Sequence, residues 1–245
     1  MPEKIQFYPL DVTYKIIDDK PVIFLYGVDL QGNQLCVMDG QFEPYFYVLP
    51  KKGVLIEDKL LALAVEQEHH LAKVIRVEQI TKKINGKEVQ ILKVFTHHPK
   101  DVPVIKDVIS AWTMIEAVYE YDILFVRRYL IDKQIIPMVI VDAIVESANH
   151  HLRIPAYHAL SIEQTGNETY MQPKVLAIDI ETYNPDGLVL DAEKYSILMI
   201  AFASGNIEKV ITWKRFKTHN PSIEFVQSEE ELIRRSIDFI KEHKP

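Results

Sequence analysis

Two acidic residues, Asp179 and Glu181, stand two positions apart at the end of an apolar run that begins at Val175. Side chains at positions i and i+2 of a β-strand project from the same face, so the two carboxylates would lie next to each other. Hard divalent cations prefer oxygen ligands, and a pair of such ions can hold the attacking and leaving oxygens of a phosphodiester during hydrolysis. A solvated, inert strand end produces the same pattern, so the spacing alone leaves a metal site and an acidic strand end as alternatives.

A second group of residues combines aromatic rings with positive charge. Tyr45, Tyr47 and Phe95 fall on two strands that we expect to pair at the centre of a sheet, where RNA-recognition modules carry base-stacking aromatics. Lysines, including Lys82 and Lys83, lie on the neighbouring hairpin. The alternative is that the rings pack under other strands while the lysines protect a solvated edge. The glycine–aromatic consensus of RNA-recognition modules is missing, which favours packing.

Adjacent histidines and a single cysteine are weak candidates for chemistry. Neighbouring residues do not share a face of a helix or a strand, and no pair has the i, i+4 spacing of a helical zinc site. The histidine pairs are His69–His70, His97–His98 and His150–His151. Cys36, the only cysteine, excludes an internal disulfide and a multi-cysteine zinc site, so we expect it to pack as a small hydrophobe.

Composition and charge bound the classes of protein. Of the 245 residues, 48% are hydrophobic and 26% are charged, which indicates a folded chain of one large or two smaller domains. No apolar run reaches the roughly 20 residues of a membrane span, and the N-terminus does not resemble a signal peptide, so we expect a cytoplasmic protein. The net charge of -7 argues that any DNA binding uses a few cations and weakens with salt. Our candidates are Lys82, Lys83, Arg127 and Arg128.

The elements that must position these residues predict an α+β fold. Strands in the first fifty residues form an antiparallel meander, and a strand–helix–strand–strand–helix–strand order follows up to Tyr121. This split βαββαβ order is that of ferredoxin-like and RNA-recognition-like modules. Asn85–Gly86 predicts its hairpin turn, and Asp101 is the expected N-cap of its second helix.

We divide the chain into residues 1–148, a linker or insertion at 149–172, and an incomplete second domain at 173–245. The second domain is expected to contain three strands, the first of them central and buried, and one helix. A capping box at Ser228 predicts the start of that helix.

Several stretches together resemble the archaeal family B DNA polymerases, in the order of their N-terminal domain and the start of their 3′–5′ exonuclease domain. These stretches are Tyr14–Phe24, Phe42–Leu49, His98–Pro103, Tyr119–Met138, Leu176–Thr182 and Val210–Lys214. The resemblance implies that residues 173–245 are the first part of an RNase H-like exonuclease domain. It also implies that Asp179 and Glu181 belong to the first exonuclease motif, whose carboxylates hold two Mg²⁺ or Mn²⁺ ions.

The same resemblance implies a template-reading domain in residues 1–148, with a pocket that captures uracil in single-stranded template DNA. A flipped uracil needs partners for its pairing edge and close walls that exclude the methyl group of thymine. The residues at matching positions are Tyr14, Pro44, Tyr45, Pro99, Val102 and Tyr119. Two departures are Tyr119, where many relatives carry phenylalanine, and Lys100, where relatives often carry an uncharged residue.

The remaining exonuclease motifs and the polymerase palm, fingers and thumb have no counterpart in this sequence. We therefore expect the N-terminal portion of a polymerase that is inactive alone and that needs primer–template DNA and the rest of the enzyme as partners. Asp186, Asp191 and Glu193 follow the acidic pair but fall in an expected loop. The alternatives are a stand-alone, non-catalytic nucleic-acid-binding or regulatory relative, and an autonomous nuclease.

Overall fold

The computed structural model describes residues 2–67, 70–166, 170–185, 187, 189 and 191–245, so His69 and Asp186 lie outside the described residues. The chain forms two compact units, Met1–Met171 and Gln172–Pro245. Strands predominate in both units, which confirms the α+β class. No helix within the described ranges is long and apolar enough to cross a membrane.

The first unit contains a barrel and a sheet that carries helices. In chain order its elements are β1 (Glu3–Ile17), β2 (Lys20–Asp29), β3 (Gln34–Asp39), β4 (Tyr45–Pro50), α1 (Glu57–Leu61), β5 (Ala64–Glu66), β6 (Leu71–Ile84), β7 (Lys87–Thr96), α2 (Asp101–Ser110), β8 (Ile115–Tyr119), α3 (Phe125–Asp132), β9 (Val141–Ser147) and β10 (Ala156–Gln164).

The expected meander is present as β1–β2–β3, but it is closed into a barrel with the order β1-β2-β3-β10-β9. Alternate residues face the interior, as Val141, Ala143 and Val145 show on β9. They join Phe7 and Leu25 in one apolar core, and each large side chain that is fully buried there contributes about 1.5–3 kcal/mol.

The strand β10 corrects the prediction that residues 149–172 form a linker or insertion. It pairs in parallel with β3 and antiparallel with β9, and it thereby closes the barrel. A register shift between Ala159 and Ser161 interrupts the pairing with β9. Because such a bulge breaks the two-residue alternation of buried side chains, the pattern by which a strand is recognised is weak here.

The second sheet has the order β5-β6-β7-β4-β8. Its helices pack on the face that carries Phe46 and Val48, while Tyr45 and Tyr47 point to the opposite face. The hairpin at Asn85–Gly86 is confirmed, because both residues have positive φ and Ile84 pairs with Lys87. Helix α1 ends at Leu61, and the short strand β5 follows it.

The N-cap predicted at Asp101 is wrong. Lys100 occupies the cap position without a side-chain hydrogen bond, and Asp101 is the first residue of α2. Its carboxylate is fully buried and accepts hydrogen bonds from the backbone N–H of His98 and from the ring of His70. The carboxylate therefore binds the turn before the helix instead of the helix's own N–H groups.

The second unit contains β11 (Ala177–Thr182), β12 (Ile197–Ser204), β13 (Ile207–Thr212), β14 (Ile223–Phe225) and α4 (Glu229–His243). The sheet order is β11-β12-β13-β14, and Leu232 of α4 packs on Ile200 and Ile211. The cap at Ser228 is confirmed, since its hydroxyl accepts the N–H of Glu231 at 3.2 Å.

Strand β11 was expected to be central and buried, and this prediction is wrong for the described chain. It lies at the edge of its sheet, and Ile178 and Ile180 are 47% and 51% exposed. The apolar run indicates a strand that is suited to burial on both faces. Among the described residues, however, only β12 pairs with β11.

We expect Gly27→Ala to destabilise the barrel. A Cβ at this position of β2 would overlap the carbonyl oxygen of Tyr8 and the ring of Phe7, neither of which is free to move away. Overpacking of this kind costs about 1–3 kcal/mol of unfolding free energy. The matched control is Gly40→Ala, whose Cβ would meet only Val22 Cγ2 at an ordinary 3.7 Å. Urea unfolding of both variants checks the prediction, and equal midpoints would contradict it.

Candidate functional site

The first unit contains a pocket of about 460 Å³ between β1, the beginning of β4, the beginning of α2 and the segment 121–128. Five of the six residues that we expected at a uracil pocket line it. They are Tyr14, Pro44, Tyr45, Pro99 and Val102. Tertiary structure thus gathers residues that lie almost ninety positions apart in the chain (Tyr14 and Val102) around one cavity.

Backbone hydrogen bonds hold the segments that form the walls of this pocket. The carbonyl of Pro44 accepts the backbone N–H of Thr96 at 2.9 Å, which fixes the entry into β4. The carbonyl of Pro99 accepts the N–H of Val102 at 3.3 Å, and this turn leads into α2. Pro103 fits the first turn of the helix because backbone N–H groups there have no intrahelical partner.

Tyr119, the sixth expected residue, is not among the residues that line the pocket. It lies on β8 directly opposite Tyr47 and packs with the aromatic cluster on the sheet. The chain then turns at Glu120, whose φ is +58°, and Tyr121 lines the pocket instead. The resemblance identified the position of Tyr119 in the chain, but the turn at Glu120 decides which side chain reaches the cavity.

The segment 121–128 supplies pocket residues that the sequence analysis did not identify. Phe125 contacts Tyr14 edge to face, with ring centroids 5.2 Å apart. Leu124, which precedes the helix, is exposed and also lines the cavity. The spacing of Phe125, Tyr129 and Leu130 indicates a helix with one apolar face. This pattern does not say which cavity that face meets.

Of the four cations expected to bind DNA, two share one carboxylate. Glu120 lies 2.5 Å from Lys82 Nζ through Oε1 and 2.5 Å from Arg128 Nη1 through Oε2. Arg128 is only 5% exposed and also donates to the backbone carbonyl of Glu120. Lys83 and Arg127 are exposed. We expected four unpaired cations for contacts with phosphate. The structure leaves Lys83 and Arg127 exposed, whereas Lys82 and Arg128 form ion pairs with Glu120.

Burial and ion pairing have opposite effects on the pKa of Glu120. Burial raises it, but the hydrogen bonds from Lys82 and Arg128 together outweigh that effect and hold the pKa below its ordinary value. The pair also positions the pocket wall, because the guanidinium of Arg128 lies 4.8 Å from the centroid of the Tyr45 ring.

The aromatic rings on the sheet are packed rather than presented to solvent. Tyr45, Tyr47 and Phe95 are 5–7% exposed. Lys93 covers Tyr45 at 3.8 Å and Lys82 covers Tyr47 at 3.7 Å, both measured to ring centroids. The hydroxyl of Tyr45 donates to Asp132 at 2.5 Å, and burial raises the pKa of this phenol well above its usual range. These contacts favour packing over base stacking on this face.

The acidic pair lies on the exposed edge strand of the second unit. Asp179 is opposite Ala201 and Glu181 is opposite Met199, so the two carboxylates share a face of β11 as expected. Two oxygen-bearing side chains fit part of a divalent metal site. Within the described chain, no third carboxylate, histidine or thiol completes a cluster with them. Asp191 accepts the N–H of Glu193 in a separate turn.

Histidines at 97 and 98 share one side of the chain, which the sequence analysis did not expect. They lie in a bend after β7, not on a strand, and their ring centroids are 4.5 Å apart. The rule that neighbours point to opposite faces applies only where the backbone is extended.

We expect Glu120→Gln to lower the unfolding free energy by about 1–3 kcal/mol at neutral pH, because it leaves Arg128 with a weakened partner. A carboxylate with a lowered pKa contributes stability above its unfolded-state pKa and loses it as pH falls through the folded-state pKa. The difference in unfolding free energy between wild type and Glu120→Gln therefore becomes smaller below about pH 4.5. Urea midpoints measured at decreasing pH check this. The exposed Glu88→Gln is the control, and a gap that is constant with pH would contradict the prediction.

The sequence and the fold of this chain match one family of known proteins. A sequence profile of the DNA polymerase family B exonuclease domain matches residues 116–245. A DNA polymerase from Thermococcus sp. (strain 9oN-7) is 34% identical over 239 residues, which cover 96% of this chain and 26% of that protein. A DNA polymerase from Pyrococcus horikoshii is 32% identical over 236 residues, which cover 96% of this chain and 16% of that protein.

A solved structure supports the same assignment. The family B DNA polymerase from the hyperthermophilic archaeon Pyrobaculum calidifontis matches with a TM-score of 0.72 and 29% identity, over 98% of this chain and 29% of that one. The chain thus spans less than a third of the length of each of these relatives. It belongs to the archaeal family B DNA polymerases and covers their N-terminal region and the start of their exonuclease domain.

Proposed function

We propose that this chain is the N-terminal portion of a DNA-directed DNA polymerase of DNA replication, and that it binds single-stranded template DNA and senses uracil in it. The observation that carries the proposal is the single cavity lined by Tyr14, Pro44, Tyr45, Pro99 and Val102. Its volume of about 460 Å³ falls within the roughly 300–1,000 Å³ that is usual for small-ligand pockets.

The chemistry of the pocket suits recognition by shape. Most of the side chains that line it are apolar or aromatic, and its charged lining residues are Lys100, Asp122 and Arg128. Close apolar walls discriminate against an added methyl group. The hydroxyl of Tyr45 is already bonded to Asp132, and Arg128 is already paired with Glu120. In the proposal, backbone groups of the lining segments therefore read the pairing edge of the base, while the exposed Lys83 and Arg127 are candidates for phosphate contacts.

We also propose that the second unit is the first part of an RNase H-like exonuclease domain and that the β4–β8 sheet is an RNA-recognition-like module. Asp179 and Glu181 would hold a divalent metal, and a bound Mg²⁺ or Mn²⁺ would supply charge stabilisation at the phosphodiester. The carboxylates of Asp179 and Glu181, which share a face of β11, would bind and position the ions. The further ligands and the palm, fingers and thumb would come from the remainder of a cytoplasmic polymerase that holds the primer–template.

The pocket predicts a preference for uracil. We expect the chain to bind single-stranded DNA with one deoxyuridine roughly 10-fold or more tightly than the matched thymidine strand, because one methyl group in a close apolar pocket is worth about 1–3 kcal/mol. Fluorescence anisotropy measures both affinities. Val102→Gln should abolish the preference, since the longer amide fills the base position.

Val102 is only 7% exposed and packs with the helices of the sheet, so its replacement by glutamine also perturbs the core. A second variant therefore avoids this burial. Tyr14→Ala, at a residue that is 37% exposed, should also reduce the preference, whereas Leu10→Ala on the same strand should retain it. Equal affinity of the folded wild-type chain for both strands would refute uracil sensing and leave a non-sensing nucleic-acid-binding relative as the alternative.

The exposed acidic pair predicts little or no exonuclease activity for this chain alone. Two carboxylates are too few for a two-metal site, so trimming of a labelled single strand in Mg²⁺ should match that of Asp179→Ala at background level. Gel analysis of the 3′ end gives the result. Robust 3′–5′ trimming that is lost in Asp179→Ala would show instead that the chain is an autonomous nuclease.

A further inference from the structure

Three histidines and two aspartates from separate segments of the first unit converge beside the start of α2. Asp19 comes from the β1–β2 turn, His70 precedes β6, and His97, His98 and Asp101 follow β7. They provide two overlapping groups of ligand atoms, each within 4.8 Å: Asp19 with His97 and His98, and His70 with His98 and Asp101. None of the five lines the pocket described above.

The group formed by His70, His98 and Asp101 is the more enclosed. The Asp101 side chain is fully buried, and those of His70 and His98 are 18% and 7% exposed. Asp101 Oδ1 lies 2.6 Å from His70 Nε2. A buried carboxylate between imidazole rings needs positive charge nearby, and a bound cation supplies it permanently, whereas a protonated histidine supplies it only at lower pH.

The ring of His98 provides a second, independent observation. Its Nε2 faces Asp19, 3.1 Å from Oδ1 and 3.2 Å from the backbone carbonyl oxygen. Because both partners are acceptors, the proton is assigned to Nε2, and Nδ1 then carries a lone pair. That Nδ1 is buried and has no hydrogen-bond partner among the described residues. A buried lone pair without a donor is costly unless a cation or a proton meets it.

We propose that His70, His98 and Asp101 bind a transition-metal ion of the Zn²⁺ class, with His98 bound through Nδ1. Asp19 acts as the positioning residue, since a metal-binding histidine commonly donates its other ring N–H to a carboxylate or a carbonyl. Two imidazole nitrogens and one carboxylate oxygen make a zinc site whose fourth position is left to water. Imidazole ligands favour Zn²⁺ over Mg²⁺, so this site differs in chemistry from the acidic pair on β11.

The ion would join three segments that are distant in sequence. It would tie residue 70, at the start of β6, to the turn at residues 97–101, and through His98 and Asp19 to the β1–β2 turn. Pro99 and Val102, which line the pocket, belong to the same turn and helix start. The proposal does not depend on uracil recognition, because its ligands and its test are separate from those of the pocket.

The test titrates the metal-free 245-residue chain with ZnCl2 by calorimetry, and with Co²⁺ by visible absorption. We expect one saturable site that Mg²⁺ does not compete for, and a rise in the thermal midpoint with Zn²⁺, because a ligand that binds only the folded state stabilises it. Asp19→Asn should weaken binding roughly 10–100-fold, the usual cost of losing an orienting partner. His70→Ala should weaken it further, and the exposed His158→Gln should match wild type.

Three results would overturn the proposal. They are the absence of a saturable site, an unchanged affinity in folded His70→Ala, and a loss in His97→Gln that exceeds the loss in His70→Ala. The last result would place the ion in the Asp19 group. If His70→Ala does not fold, histidine-ring ¹⁵N NMR of the wild-type chain decides instead. Added Zn²⁺ should shift the ring nitrogens of His70 and His98 and leave those of His158 in place, and the reverse pattern would refute the site.

Discussion

The buried carboxylate of Asp101 holds the turn on which the pocket depends. One oxygen accepts the backbone N–H of His98, and the other binds the ring of His70. Burying a charge is costly unless every lone pair is used, so these partners constrain the backbone between β7 and α2. Pro99 and Val102 project from that backbone into the pocket. The geometry of the pocket wall therefore depends on a carboxylate that does not itself line the pocket.

Ion pairs determine which positive charges beside the pocket remain unpaired. The net charge of the chain is -7, and Glu120 occupies both Lys82 and Arg128 beside the pocket. Arg128 therefore lines the pocket and packs against the ring of Tyr45, and its charge is already paired with Glu120. This arrangement supports the proposed recognition of a base by shape, because a neutralised cation adds little general attraction for phosphate. A count of basic residues along the hairpin therefore overstates the number of unpaired cations.

The candidate site of the first unit has most of its expected residues in place, whereas the candidate metal site of the second unit has only two ligands among the described residues. In the first unit, five of the expected pocket residues already surround one cavity. In the second unit, Asp179 and Glu181 share a face of β11 but lie on an exposed edge strand. An apolar strand with a free edge is suited to further pairing. Together with the relatives, of which this chain covers less than a third, this observation supports our proposal that the remaining enzyme completes the second site.

Local chemistry was readable from the sequence, whereas long-range contacts were not. Asn85–Gly86 determines a hairpin because both residues tolerate positive φ, and Ser228 caps α4 because its hydroxyl reaches an N–H three residues on. The pocket residues came from motifs that resemble a known family, whereas the i, i+2 spacing of Asp179 and Glu181 predicted that their side chains share a face. Only tertiary structure placed β10 in the barrel, since a bulge hides its alternation. Only tertiary structure paired Glu120 with Lys82 and brought His70 to Asp101, because those partners are separated by about thirty or more residues and no local pattern encodes such contacts.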